Sequence, residues 1–145
     1  MGSEDPYGLS RFVEAQDRGG TYARARDELR AGRKTSHWMW FVFPQVAGLG
    51  FSAMSRRYAL GTLAEARAYL AHPVLGVRLR EVAQIVAATR ERSAEQIFGA
   101  VDALKLHSSM TLFAQAEPGE PVFRQVLERY FDGRPDPETL RRLRP

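Results

Sequence analysis

Apolar residues recur at the spacing of an α-helix along most of the chain. The clearest stripe predicts a core helix over residues 73–88; its members are Leu75, Leu79, Val82 and Val86. A second stripe predicts a helix from Asp102 to about Gln115; its members are Ala103, Leu106, Met110 and Phe113. Charged residues lie off these stripes, so the pattern favours helices that each bury one face.

Helix-capping residues and terminating glycines bound the other predicted helices. These cover residues 5–17, 21–31, 53–58, 62–71, 93–98, 120–132 and a last turn or two from 136. Their starts carry typical capping residues: Asp5–Pro6, Thr21, Thr62 with Glu65, Ser93 with Gln96, Glu120–Pro121 and Asp136–Pro137. Asp102 is predicted to cap its own helix, and His72 the helix after it.

Residues 33–52 break the helical pattern. Their aromatic run has neither helical nor strand periodicity, and Pro44, Gly48 and Gly50 prevent a long helix. No second alternating run exists to pair with residues 38–43 as a sheet. We therefore expect a buried, partly irregular segment within an all-α fold, a compact multi-helix orthogonal bundle that forms a single domain over residues 1–145, with flexible ends at 1–4 and 144–145.

Composition narrows the functional classes. The chain has 145 residues, no cysteine and a net charge of +4, so disulfides and thiolate metal sites are excluded. The longest apolar run, residues 38–44, is too short to cross a membrane, and no signal peptide is evident. The histidines are scattered, which argues against a metal site. We expect a cytoplasmic monomer without cofactor or metal.

Common catalytic motifs are absent: there is no G-x-G-x-x-G, Walker A loop, G-x-S-x-G elbow or H-E-x-x-H. The side chains that could bind or react with a ligand are instead concentrated in segment 33–45, where cations, hydroxyls and an imidazole lie beside aromatic residues. Its candidate ligand-binding residues are Arg33, Lys34, Ser36, Trp38, Trp40 and Gln45. The alternative is structural: the tryptophans anchor the core, and the cations end a helix.

Segment 102–113 is the second concentration of polar residues. Lys105, Ser108 and Ser109 share one side of the predicted helix, away from its apolar stripe. The alternative is that Lys105 is a surface residue and that the serines allow close helix packing, with their hydroxyls bonded to carbonyl groups.

Lys34 and Lys105 are the only lysines, and each lies close to a serine and a histidine. This suggests one pocket, lined by both segments, that binds a phosphate or carboxylate. His37 or Glu65 is the candidate general acid or base. Replacing both lysines with alanine should then abolish ligand binding and leave the melting temperature nearly unchanged.

The chain resembles the members of a bacterial protein family of unknown function. The resemblance rests on HWMWFVFPQ at residues 37–45, HPVLG at 72–76, IFG at 97–99 and LKLHSSMTLF at 104–113, and it covers almost the whole chain. A mycobacterial member of that family is mainly helical, so the resemblance implies a helical fold and no particular activity. The name calpastatin, sometimes given to such proteins, does not suit this globular composition.

The order of motifs is also similar to that of the NADAR proteins, helical enzymes that cleave N-glycosides of ADP-ribose. The similar features are an acidic helix near Glu65, a segment with tryptophan and a late helix with lysine, serine, methionine and phenylalanine. This resemblance implies a hydrolase acting on a nucleotide or ADP-ribose derivative. The competing hypothesis is an interaction module that binds a protein partner or nucleic acid through a basic surface containing aromatic residues.

Overall fold

Helices dominate the computed structural model, which describes residues 5–144. The elements are α1 (Ser10–Asp17), a 3₁₀ turn (Arg18–Gly20), α2 (Thr21–Arg30), α3 (Met39–Val42), α4 (Ala53–Arg57), α5 (Leu63–Ala71), α6 (Leu75–Ala88), α7 (Ala94–Phe98), α8 (Ala100–Ala116), α9 (Pro121–Phe131) and α10 (Pro137–Leu143). Over this range, pairing of strand type is limited to an isolated parallel bridge between Val46 and Leu60. The all-α prediction is confirmed.

The ends of the chain were expected to be flexible. Residues 1–4 and 145 lie outside the described residues. Arg144 is described, follows α10 directly and is exposed.

Helix α8 packs against α5, α7, α9 and α10, while α6 packs against α2, α5 and α9. Both predicted apolar stripes are buried in the hydrophobic core that these contacts form. The stripe of α6 buries Leu75, Leu79, Val82 and Val86, and the stripe of α8 buries Ala103, Leu106, Met110 and Phe113. Periodicity therefore predicted correctly which faces of the two longest helices turn inward.

The start of α8 differs from its prediction. The helix begins at Ala100, and Gly99 precedes it with φ of 84° and ψ of 163°, a conformation that favours glycine. The amide of Ala103 donates to the Gly99 carbonyl at 2.9 Å. Asp102 therefore lies in the first turn, where it does not cap the helix, and its carboxylate is free to contact lysines.

The start of α1 also differs. The helix begins at Ser10 because Gly8, with φ of 63°, turns the chain after Pro6. Asp5 still satisfies helical amides, since its carboxylate accepts hydrogen bonds from the backbone of Leu9 at 2.7 Å and of Ser10 at 3.0 Å. The prediction that Asp5 and Pro6 are the N-cap and the first residue of this helix is therefore wrong, although the Asp5 carboxylate does bind amides near the start of α1.

Side-chain caps begin α5 and α7, as predicted. Ser93 and Gln96 form a complete capping box. Thr62 accepts from the amide of Glu65 at 3.1 Å, whereas the Glu65 carboxylate accepts from Gly61 at 2.6 Å, one residue earlier than a capping box requires. The ring of His72 caps α6, which begins at Leu75.

Segment 33–52 is partly irregular, as expected, but it is buried only in its middle, between Trp38 and Val46; its ends are largely exposed, and Phe51 is 83% exposed. It contains the single helical turn α3, and Trp38, Met39, Phe41, Val42 and Phe43 are all buried. Two backbone hydrogen bonds fix its far end to the chain before α5: Ala47 donates to Leu60 at 2.8 Å, and Leu60 donates to Gln45 at 3.0 Å.

Gly76 determines how closely α5 and α6 approach. A Cβ atom at this position would lie 2.0 Å from the carbonyl oxygen of Leu70, in the backbone of α5. No side-chain rearrangement relieves a collision with backbone, so the helices must separate if the residue is larger.

We predict that Gly76→Ala lowers the free energy of unfolding by about 3 kcal/mol, because the core must open to admit one methyl group. Gly119→Ala is the matched control, since a Cβ there meets no atom within 4 Å; its effect should stay within about 0.5 kcal/mol. Urea denaturation measures both. Equal effects of the two substitutions would contradict the steric argument.

Candidate ligand site

Segments 33–45 and 102–113 meet in the folded chain. The ammonium of Lys34 lies 2.8 Å from a carboxylate oxygen of Asp102, and the ammonium of Lys105 lies 3.5 Å from the other oxygen. Lys105 also stands over the ring of Trp40, 5.1 Å from its centroid. Asp102 therefore links the two lysines that the sequence singled out.

Lys34 is a structural cation. Its side chain is 7% exposed, and besides Asp102 the ammonium donates to the carbonyl of Ser36 at 2.6 Å and stands 5.0 Å from the centroid of the Trp38 ring. Its backbone amide donates to Ile97 at 2.7 Å. These contacts occupy the ammonium and leave little of it accessible to a ligand.

The carboxylate of Glu28 organises the start of segment 33–45. One oxygen accepts from the amide of Thr35 at 2.8 Å, the amide of Ser36 at 3.0 Å and the indole of Trp38 at 2.9 Å; the other accepts from the Ser36 hydroxyl at 2.5 Å. Burial acts to raise the pKa of Glu28, but these hydrogen bonds outweigh it and lower the pKa to about 2. The residue is thus held as an anion.

Glu28 was not among the predicted site residues, because it lies among the charged residues of α2. Its hydrogen-bond partner Trp38 is ten positions further along the chain. The available signal was its place one turn before Gly32. With φ of 77°, Gly32 turns the chain back, and the amide of Arg33 donates to the Glu28 carbonyl at 3.0 Å. The amides that follow are thereby brought to the carboxylate.

Several predicted site residues do not fit a ligand-contacting function. Trp38 and Ser109 are 0% exposed, and Ser36 is hydrogen-bonded to Glu28. The Ser109 hydroxyl has no hydrogen-bond partner among residues 5–144. Ser109 was expected on a polar face, but the packing of α8 against its neighbouring helices leaves this residue in the core. Ser108 is also buried, and its hydroxyl donates to the carbonyl of Leu104 at 3.1 Å, as the structural alternative predicted.

The remaining predicted residues are more accessible. Arg33 and His37 are exposed, and Trp40 is half-buried beside Lys105. Glu65 lies at the start of α5, where its carboxylate holds the Gly61 amide. Neither of the predicted catalytic residues, His37 and Glu65, lines the cavity described next.

A cavity of about 320 Å³, the Lys105 cavity, opens beside α8. It is lined by Gln45, Leu49, Gly50, Ser55, Val101, Leu104, Lys105, Ser108, Asp136 and Glu138. Three of these residues, Gln45, Lys105 and Ser108, belong to the predicted ligand set. The two carboxylates come from the start of α10, which sequence reasoning did not connect with the site.

Asp136 caps α10 and faces the cavity at the same time. One carboxylate oxygen accepts from the amide of Thr139 at 3.1 Å, its hydroxyl at 2.6 Å and the hydroxyl of Ser108 at 3.3 Å. Its second oxygen accepts no hydrogen bond from residues 5–144. Glu138 pairs instead with Arg141. The cavity thus presents a cation, an amide and a carboxylate with an unoccupied oxygen.

Among residues 5–144, no group of three or more histidine, cysteine or acidic side chains is arranged to hold a metal ion. None of the helices in this range is both long and apolar enough to cross a membrane.

Comparison with known proteins identifies the family. The family model described as "Protein of unknown function (DUF1810)" matches residues 6–143, so the chain belongs to this family. The crystal structure of the conserved hypothetical protein Rv1873 from Mycobacterium tuberculosis is similar, with 50% sequence identity and a TM-score of 0.93 over 96% of this chain and 98% of that one. No curated protein matches. The predicted membership of a family of unknown function is confirmed.

We predict that Glu28 makes stability acid-sensitive. A pKa lowered from 4.5 to about 2 in the fold means that its contribution is complete above pH 4.5 and is lost as the pH falls towards 2. Between pH 6 and pH 3 the wild type should lose about 2 kcal/mol more stability than Glu28→Gln. Urea titrations at both pH values measure this difference.

Glu128→Gln is the control for that experiment, because Glu128 is exposed on α9. It should follow the wild type at both pH values. If Glu28→Gln loses as much stability on acidification as the wild type, the carboxylate of Glu28 does not hold the segment.

We predict that the two lysines separate in their effects on stability. Lys34→Ala leaves Asp102 without its closest cation and should cost about 3 kcal/mol. Lys105→Ala removes a side chain that is 21% exposed and should cost less than about 1 kcal/mol. Thermal and urea denaturation test this. The double alanine variant is therefore expected to melt at a lower temperature than the wild type, contrary to the expectation from the sequence. Equal losses of stability in the two single variants would contradict the assignment of Lys34 as the structural cation.

Proposed function

We propose that the chain binds a small anionic ligand in the Lys105 cavity. The observation that carries the proposal is the partly exposed side chain of Lys105, which lines a concave site together with Gln45 and Ser108. Asp102 lies closer to Lys34 than to Lys105, so Lys105 retains charge for a ligand. Lys105 is the lining residue that would hold a phosphate or carboxylate, while Asp136 and Glu138 add negative charge to the same cavity, Glu138 being paired with Arg141.

The size and lining of the cavity suggest the ligand class. Its volume of about 320 Å³ is near the lower end of small-molecule sites and suits a ribose phosphate or the ribose end of a nucleotide. Leu49 and Leu104 supply apolar contact, while Gln45 and Asp136 supply partners for sugar hydroxyls. A nucleotide or ADP-ribose derivative combines the required anion and sugar.

The finer proposal is hydrolysis of an N-glycosidic bond in that ligand. Asp136, whose second oxygen has no partner in the described chain, takes the proton of a water molecule as the water attacks the anomeric carbon. The bond from that carbon to nitrogen breaks and the base leaves with the bonding electron pair. The proton taken up by Asp136 then passes to the departing base, or to solvent where the base leaves uncharged, which restores the carboxylate. Asp136 replaces His37 and Glu65 in this function because only Asp136 lines the cavity.

The non-enzymatic alternative is supported by the exposed apolar residues near the cavity. Val101 is 67% exposed and Leu104 is 69% exposed, and both line its wall. Exposed apolar side chains around a concave site are typical of surfaces that bind protein partners. Under this alternative no small ligand stabilises the chain.

We predict that ribose 5-phosphate, AMP or ADP-ribose raises the melting temperature of the wild type at both low and high salt. Lys105→Ala should weaken binding at least about tenfold, because one charge-assisted contact is lost. Arg56→Gln removes an exposed positive charge outside the cavity and is the control. A thermal-shift titration measures all three proteins.

Asp136→Asn distinguishes binding from catalysis. The asparagine amide can still hydrogen-bond a sugar hydroxyl but cannot take a proton from water, so this variant should retain ligand binding while abolishing release of the free base. Chromatography after incubation with ADP-ribose, NAD or nucleosides measures the release. Binding without turnover in the wild type would overturn only the hydrolase proposal. Failure of every ligand to stabilise the wild type would overturn the binding proposal and favour the interaction module.

A further inference from the structure

A groove of about 460 Å³ lies on another part of the surface, between the ends of α2 and α6. Its lining residues are Arg30, Ala31, Gly32, Ile85, Ala88, Thr89, Arg90 and Arg92. We call it the arginine groove. It shares no residue with the Lys105 cavity, so a ligand here is independent of the function proposed above.

The guanidinium groups of Arg30, Arg90 and Arg92 are not used by the fold. Among residues 5–144 none of them forms an ion pair or donates a side-chain hydrogen bond. All three residues are exposed. Three arginines therefore line one concave surface, and their guanidinium groups have no hydrogen-bond acceptor among the described residues.

Arginines at helix ends often cap carbonyl groups, but other donors already serve these helix ends. At the end of α6 the Thr89 hydroxyl donates to Ile85 at 2.9 Å, and the Tyr130 hydroxyl donates to Val86 at 2.7 Å. At the end of α2 the amide of Gly32 donates to Leu29 at 3.0 Å. Capping therefore does not account for the three arginines.

The backbone shapes the groove. Gly32 has a φ of 77°, and a Cβ there would lie 3.1 Å from the Nε atom of Arg92, so the glycine leaves room for that guanidinium. Glu91 has a φ of 64°, which is uncommon for a residue with a side chain. Glu91 lies between Arg90 and Arg92. These two arginines line the groove, whereas Glu91 does not.

We propose that the arginine groove binds a small molecule with a diphosphate group. Guanidinium groups donate paired hydrogen bonds that match phosphate oxygens, and three of them provide positive charge for two adjacent phosphates. No carboxylate lines the groove to oppose such a ligand. The apolar side chains of Ala31, Ile85 and Ala88 provide contact for a base or another organic group attached to the diphosphate.

The test is isothermal titration of the intact protein with inorganic pyrophosphate and, separately, with ADP. Arg90→Gln combined with Arg92→Gln should weaken pyrophosphate binding at least about tenfold. Arg18→Gln combined with Arg56→Gln removes the same charge from exposed positions outside the groove and should change binding less than about twofold. Circular dichroism confirms that both double variants are folded.

The ligands distinguish two sources of the diphosphate. Where the Arg90/Arg92 double variant weakens both ligands, equal affinity for pyrophosphate and ADP indicates recognition of the phosphates alone, and tighter binding of ADP indicates that the nucleoside contacts the apolar wall; both results support the groove. Binding of ADP that the double variant leaves unchanged would place ADP outside the groove and overturn the proposal. Equal weakening by the two double variants would show attraction by net charge only and overturn the proposal. Binding of a short oligonucleotide with none of pyrophosphate would also overturn it, in favour of a nucleic-acid surface.

Discussion

A charge in the interior of a protein requires a partner, and Lys34 meets this requirement through Asp102. The pair connects the irregular segment after α2 with the first turn of α8. Glu28 adds a second fixed charge, held by amides, a hydroxyl and an indole of the same segment. These two ionised groups determine where the chain runs between α2 and α3, a stretch without regular secondary structure.

The same carboxylate places the two lysines in different surroundings. Asp102 has two oxygens, and the one nearer to Lys34 completes a buried contact while the other positions Lys105 at the cavity. Lys105 is therefore held in a defined position, and Asp102 neutralises its charge only in part. This combination suits a binding residue, because little conformational freedom remains to be lost when an anion arrives.

Local patterns were sufficient for most of the fold. Stripes on α6 and α8 and the capping box at Ser93 are properties of neighbouring residues, and the structure confirms them. Helix starts failed where glycine geometry decided the boundary, as Gly8 does before α1 and Gly99 before α8. A pattern of residue types does not show which backbone angle a glycine adopts.

The site was predictable only in part, since its residues come from distant parts of the chain. Gln45, Lys105 and Ser108 stood in segments of unusual composition, and the structure brings them together. In the sequence Asp136 has the features of an ordinary helix cap. Its contact with Ser108 and its place in the cavity wall depend on where α10 packs against α8. The burial of Ser109 likewise depends on a neighbouring helix and not on its own sequence context.

The contacts of segment 33–45 also bear on the order of folding. Several of its partners are far along the chain: Lys34 bonds to Ile97 and Asp102, and Gln45 bonds to Leu60. Closing such long loops is entropically costly, so these contacts form after the helices they join have docked. A partly folded chain can therefore keep most of its helices while the cavity wall that includes Gln45 is still unformed.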